Sequence, residues 1–157
     1  MNMSPLNKTC AYGLRAMILL AGYSVASRHP VSIRLIAEQL HVPFHFLVKI
    51  LNKLTRGGML ESSRGAGGGV RLVRPASSIS MAEVLTLLGD DNQLQGCVMG
   101  AGGFCAENPC PLHQEWAIEA GRIKTLFAET RLDMLADRAM KEEACHCPLA
   151  HVQPRPA

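Results

Sequence analysis

Two short stretches with helical apolar spacing meet at His41-Val42-Pro43, and a glycine pair, Gly57-Gly58, closes the second. Ile33, Ile36, Ala37 and Leu40 fall at i, i+3, i+4 and i+7, and Leu47, Ile50, Leu51 and Leu54 repeat that spacing. Such stripes give each helix one core-facing side. Two helices joined by three residues can bury those sides only against each other and a third element, which is the helix-turn-helix arrangement. Ser32 suits the N-cap of the first helix, which runs to Leu40, and Pro43 suits the start of the second, which runs to about Arg56. The third element is the segment from Lys8 to about Ala26, where Tyr12, Ala16, Leu19, Leu20 and Tyr23 recur at helical spacing with Leu14, Met17 and Ile18 beside them. It is apolar almost all round, so it belongs inside the domain or between subunits.

After Gly57-Gly58, Met59 to Arg64 reads as a strand, the glycine-rich run 65–69 as a turn, and Val70 to Arg74 as the return strand. A hairpin directly after the second helix makes a wing. No Gly-Lys-Ser/Thr follows the glycines and no helix starts there, which argues against a phosphate loop. A link at 75–78 leads to Ser80-Met81-Ala82-Glu83, a capping box, and a short helix to about Leu88 ended by Gly89. Residues 90–110 show no consistent period and read as loop. Pro111 then opens a last helix to about Lys141, with Leu112, Trp116, Ala120, Ile123, Phe127, Thr130 and Met134 along one side. At ~1.5 Å per residue a continuous helix of that span is about 45 Å long. That exceeds what a small winged domain covers, so the stripe is expected to pack on a twin, the alternative being a fold back along its own domain. The fold class is mainly α with a small β-hairpin wing. The division is a winged helix-turn-helix domain over 1–90, a cysteine loop over 91–110, a dimerisation helix over 111–141, and a disordered tail over 142–157.

Charge divides the chain. Residues 1–75 carry ten Lys or Arg against two acids, a net of +8, and residues 76–157 carry six against eleven, a net of −5. A front half that basic points to a polyanion, nucleic acid before membrane. No apolar run approaches the ~20 residues of a membrane span. Ala16 to Val25 could serve as a signal-peptide core, but its removal would strip the following helices of their packing partner. Without export the setting is cytoplasmic, and six cysteines mean thiols or metal ligands.

The outer side of the second helix carries His45, Lys49, Asn52, Lys53 and Arg56. Such a helix can enter a major groove, its early residues reaching base edges and its later cations neutralising phosphates. His45 and Phe46 are candidates for base or sugar contacts, though Phe46 also fits the core and His45 a solvated surface. Lys49 and Lys53 are candidates for phosphates. Arg64, Arg71 and Arg74 are the wing cations, and Arg64 suits a narrow minor groove. The partner is double-stranded DNA, and a dimer would present two such helices to a pseudo-palindromic operator.

Cys97, Cys105 and Cys110, with His113 one turn on, concentrate soft ligands in one loop at spacing C-x7-C-x4-C. Three thiolates and an imidazole suit zinc or an iron–sulfur cluster. The seven-residue gap is wide for a zinc knuckle, which favours a [2Fe–2S] or [4Fe–4S] cluster over structural zinc or a metal-free thiol switch. His113 is the local fourth ligand, a capping histidine being the alternative, and Cys10 is the remote one. Cys145-His146-Cys147 with His151 forms a second soft cluster in the tail. No nucleophile–base motif or nucleotide fingerprint is present, so an enzyme is not expected, and an electron carrier has no use for a basic helix and wing.

The start KTCAYGLRAMILLA, the run VPFHFLVKILNKLTRGGMLESSRGAGGGVRL, the sequence SSISMAEVL, the three-cysteine loop and the helix from Trp116 together resemble the bacterial winged-helix regulators that include IscR, NsrR and RirA. The resemblance covers about residues 6–140. It implies a homodimer with crossed long helices and a cluster near the interface held by Cys97, Cys105 and Cys110. It also implies that His45, Phe46, Lys49 and Arg64 occupy DNA-contacting positions, and that His113 matches the position of a ligand histidine. The gaps between the cysteines are not the even ones of IscR. Where NsrR-like members carry an acid near the start of the first helix, this chain has Cys10-Ala11.

Overall fold

The computed structural model describes residues 6–26, 29–65, 67–89 and 109–141. In chain order the elements are α1 (Lys8–Ala26), α2 (Ile33–Leu40), α3 (Phe44–Arg56), β1 (Leu60–Ser63), β2 (Gly69–Leu72), a 3-10 turn (Ala76–Ser78), α4 (Met81–Leu88), α5 (His113–Glu129) and α6 (Leu132–Lys141). Helices dominate, and the described strands form a single antiparallel hairpin with Leu60 opposite Leu72 and Ser63 opposite Gly69. This is the expected winged helix-turn-helix.

The core forms where the stripes converge. Leu47, Ile50, Leu51 and Leu54 of α3 and Ile36, Ala37 and Leu40 of α2 are buried against Met17, Leu20 and Ala16 of α1. The predicted turn ends α2 at His41, which adopts the left-handed conformation (φ 51°). Ser32 takes the N-cap position of α2, yet its side chain makes no capping bond. Gly13 explains why α1 runs so close to its neighbours: a Cβ there would lie 2.3 Å from Leu88 and 3.1 Å from Ile50.

The wing is shorter than the predicted strands, and it has a third participant. Val31 N–H donates to the Val70 carbonyl at 2.8 Å and Val70 N–H to the Val31 carbonyl at 2.9 Å, so the stretch before α2 anchors β2. A Cβ at Gly69 would sit 2.1 Å from the Val31 carbonyl oxygen, which explains the glycine there better than turn geometry does. One bond beyond the ladder, Val73 N–H to Met59 O at 3.0 Å, holds the hairpin base. Arg74 then leaves the hairpin to bind Glu83.

The expectation of one continuous helix from 111 to 141 is corrected. Thr130 is extended (ψ 117°) and ends α5. Its carbonyl accepts the Met81 N–H at 2.8 Å, and Leu132 N–H donates to the Ile79 carbonyl at 3.0 Å. These bonds clip residues 130–132 to the start of α4, and the chain turns into α6. Leu132 and Ala136 are buried, and α6 lies along α1 and the 3-10 turn. The part that folds back is therefore α6. Helix α5, about 25 Å long by its 17 residues, has its main packing on α4 and buries only Ala120 fully.

The cap of α4 is as predicted. Ser80 Oγ accepts from Glu83 N–H at 3.2 Å, and Glu83 accepts from Ser80 N–H at 2.8 Å. The bond from Ser80 N–H, followed by that from Arg74 at 2.6 Å, holds the Glu83 carboxyl below its ordinary value of 4.5. A carboxyl lowered by folding stabilises the fold above its unfolded value. That contribution disappears as pH falls through the lowered folded value. Ser80→Ala should reduce the unfolding free energy by about 1 kcal/mol in urea titrations. The stability gap between wild type and Glu83→Gln should be present at neutral pH and close on acidification below the ordinary carboxylate range. A gap independent of pH would remove the charge from this account.

Candidate nucleic-acid interface

Helix α3 divides as its spacing requires. Leu47, Ile50, Leu51 and Leu54 point inward, and His45, Lys49, Asn52, Lys53 and Arg56 are exposed on the outer side. Among the described residues Lys49 and Arg64 have no hydrogen-bond or ion-pair partner, and both reach solvent. The His45 ring stands edge-on to Phe44, with centroids 5.6 Å apart. Phe46 is half-buried and packs edge-on against Tyr12 at 6.0 Å, as part of the shell around the core.

Three cations assigned to a surface role have internal partners. Arg71 pairs with Glu61 directly across the hairpin, a cross-strand pair that stiffens the wing. Arg74 is bonded to Glu83 and to the Ser78 carbonyl at 3.2 Å. Lys53 Nζ donates to the Leu88 carbonyl at 3.0 Å. That carbonyl lies at the C-terminal end of α4, where unsatisfied carbonyls concentrate negative potential and a cation is favoured. Gly89, left-handed at φ 90°, completes the α4 end. Helix α3 is thus fixed by a side chain to the end of α4. Helix α4 itself sits tightly, since a Cβ at Gly57 would lie 2.5 Å from Leu87. The sequence offered no route to the Lys53 bond, because its two ends are 35 residues apart.

Of the predicted metal ligands, Cys97 and Cys105 lie outside the described residues, as do the tail cysteines. Cys110 is half-buried, and His113 is the first residue of α5. His113 N–H donates to the Cys110 carbonyl at 2.9 Å, so the two residues share one turn at the α5 start. A thiol and an imidazole are residue types that a soft metal takes, and among the described residues no further ligands are grouped around these two. Cys10, the remote candidate, is fully buried inside α1. No described helix is long and apolar enough to cross a membrane.

Comparison with known proteins matches residues 6–138 to the Rrf2 family, described as an iron-dependent transcriptional regulator. Protein aau3 of Rhizobium meliloti is 37% identical over 124 residues, which span 78% of this chain and 75% of that protein. The solved structure of Staphylococcus aureus CymR in its oxidized form is 26% identical, with a TM-score of 0.65 over 87% of this chain and 97% of that one. The structure of T. potens IscR shares the fold with a TM-score of 0.66 at 24% identity, covering 92% of this chain and 93% of that one.

Lys49 and Lys53 differ in one measurable respect. Lys49→Ala should reduce the salt slope of DNA binding by about one without changing sequence preference. Lys53→Met should in addition lower the unfolding free energy by roughly 0.3–1 kcal/mol, because it uncaps α4. Equal stability of the two variants in urea would show that the Leu88 bond contributes nothing.

Proposed function

The chain belongs to the Rrf2 family of transcriptional regulators, and from that premise we propose a homodimeric winged-helix DNA reader that senses iron, redox state or nitric oxide through an iron–sulfur cluster. In this reading His45 meets base edges, Lys49 meets phosphate and Arg64 enters the minor groove. Phe46 braces the recognition helix on Tyr12, which leaves it at most a flanking contact. Arg71 keeps the wing rigid and sits beside the DNA, while Lys53 divides its charge between the α4 end and the phosphates. Cys97, Cys105, Cys110 and His113 would hold the cluster, whose chemistry when bound is reactivity toward oxidants or nitric oxide.

One observation carries the reading. Helix α4 is fixed to the recognition helix by Lys53, and in the sequence the cysteine-bearing stretch follows its end at Gly89. In the proposed coupling a change in that stretch would act at the end of α4, and through the Lys53 bond on α3. Coupling of this kind is typically ~1–3 kcal/mol. Dimerisation is supported by α5, where Ile118 is 58% exposed and Leu126 59% exposed despite being large and apolar. A twofold pair of such helices would bury them and set the two recognition helices about 34–36 Å apart, one turn of DNA.

A second reading keeps the DNA reader and replaces the cluster with a thiol switch or structural zinc. The likeness to a CymR structure solved in oxidized form favours the thiol version of it.

Anaerobic purification followed by iron, sulfide and zinc analysis, with a visible spectrum, separates the readings. The cluster reading expects iron and sulfide with charge-transfer absorption, lost in Cys105→Ala. Zinc alone, or metal-free protein whose DNA affinity changes on thiol oxidation, would transfer the sensing chemistry to the second reading.

A further inference from the structure

Two phenylalanines flank His45, and the structure gives them opposite surroundings. Phe46 turns toward Tyr12 and the core. Phe44, the first residue of α3, is 40% exposed and takes no part in the core. Arg34, in the first turn of α2, holds its guanidinium carbon 5.9 Å from the centroid of the Phe44 ring. The ring also meets His45 edge-on, with centroids 5.6 Å apart. An open groove of about 590 Å³ runs past these side chains and also includes Glu38 and His41.

We propose that Phe44, braced by Arg34, reads the methyl group of a thymine in each half-site of the DNA. The inference rests on the DNA-reading function proposed above. The first residues of a recognition helix are those that reach base edges. A large apolar ring exposed at that position gains by leaving water. In the major groove the apolar group that base edges offer is the thymine methyl, and phenylalanine is among the side chains suited to it. Arg34 stacks on the ring through the attraction of a cation for an aromatic face, which limits the ring's freedom before DNA arrives. Its remaining donors suit a backbone phosphate. Glu38 shares the groove, so the groove is not a purely cationic cradle, which favours a base edge there over a phosphate.

The test needs a bound sequence, obtained by selecting duplexes from a random pool with the full-length wild-type protein. Each thymine of the selected site is then replaced singly by deoxyuridine, which lacks only the methyl group, and binding is followed by fluorescence anisotropy. One thymine in each half-site should be sensitive, with roughly five-fold weaker wild-type binding on losing its methyl. Phe44→Ala should bind the thymine duplex about as weakly and show no further loss with deoxyuridine. Phe44→Leu, which keeps an apolar contact, should retain part of the sensitivity. Arg34→Ala should reduce the salt slope by about one. A wild-type protein indifferent to every methyl, a selected half-site without thymine, or a Phe44→Ala variant that keeps the full penalty would overturn the proposal while leaving the DNA reader intact. A pool that yields no bound sequence would overturn the DNA reader itself, and this proposal with it.

Discussion

The structure depends most on what happens at Ile79, Ser80 and Glu83. Ile79 is fully buried and gives its carbonyl to Leu132. Ser80, the one buried polar residue among those described, caps α4. Glu83 completes the cap and draws Arg74 away from the wing. One short segment therefore joins the hairpin base, the start of α4 and the junction of α5 with α6. The carboxylate serves three donors, two from Ser80 and one from Arg74. Charge-assisted bonds of this kind are stronger than neutral ones. Two domains linked by a flexible tether would need no such joint. Its presence means that the hairpin and the α5–α6 arm share one mechanical reference.

The parts of this architecture legible in the sequence are those fixed by local spacing. The stripes of α2 and α3 follow helix periodicity because each helix has one core-facing side, and the residues so identified are buried. The capping box is local too, since both its bonds span three residues. What escaped the sequence depends on distant partners. The break at Thr130 has no proline or glycine to mark it. It comes from backbone bonds to Ile79 and Met81, about fifty residues earlier. The apolar stripe runs on across the break, so periodicity alone favoured one long helix. Val31 pairs with Val70 through its backbone, which side-chain patterning does not record.

The candidate interface was legible at the level of charge and less so at the level of individual cations. A net of +8 over the first 75 residues identifies a basic surface but not which charges are committed elsewhere. Arg71 and Arg74 were read with Arg64 as cations of the wing. The structure pairs the first two with Glu61 and Glu83. Exposed pairs of this type contribute little to stability, yet they hold long side chains in one pose. The role of Phe46, a DNA contact or a core residue, was open in the sequence for a related reason. Residues two apart on a helix point in different directions, and only the position of Tyr12 decides which of Phe44 and Phe46 has its ring covered.

Lys53 shows how the two halves of the protein can act on each other without a large movement. Its ammonium has three donors, and one is directed at the Leu88 carbonyl. A phosphate approaching α3 would compete with that carbonyl for the same charge, and the α4 end would be less well capped when DNA is bound. Linkage makes the effect reciprocal. Any rearrangement beyond Gly89 that strengthens or removes the cap changes the charge that α3 can offer. Leu88 packs closely against Gly13 and Leu87 against Gly57, so a displacement at the end of α4 would press on α1 and on the end of α3. Close packing is what makes such a joint responsive.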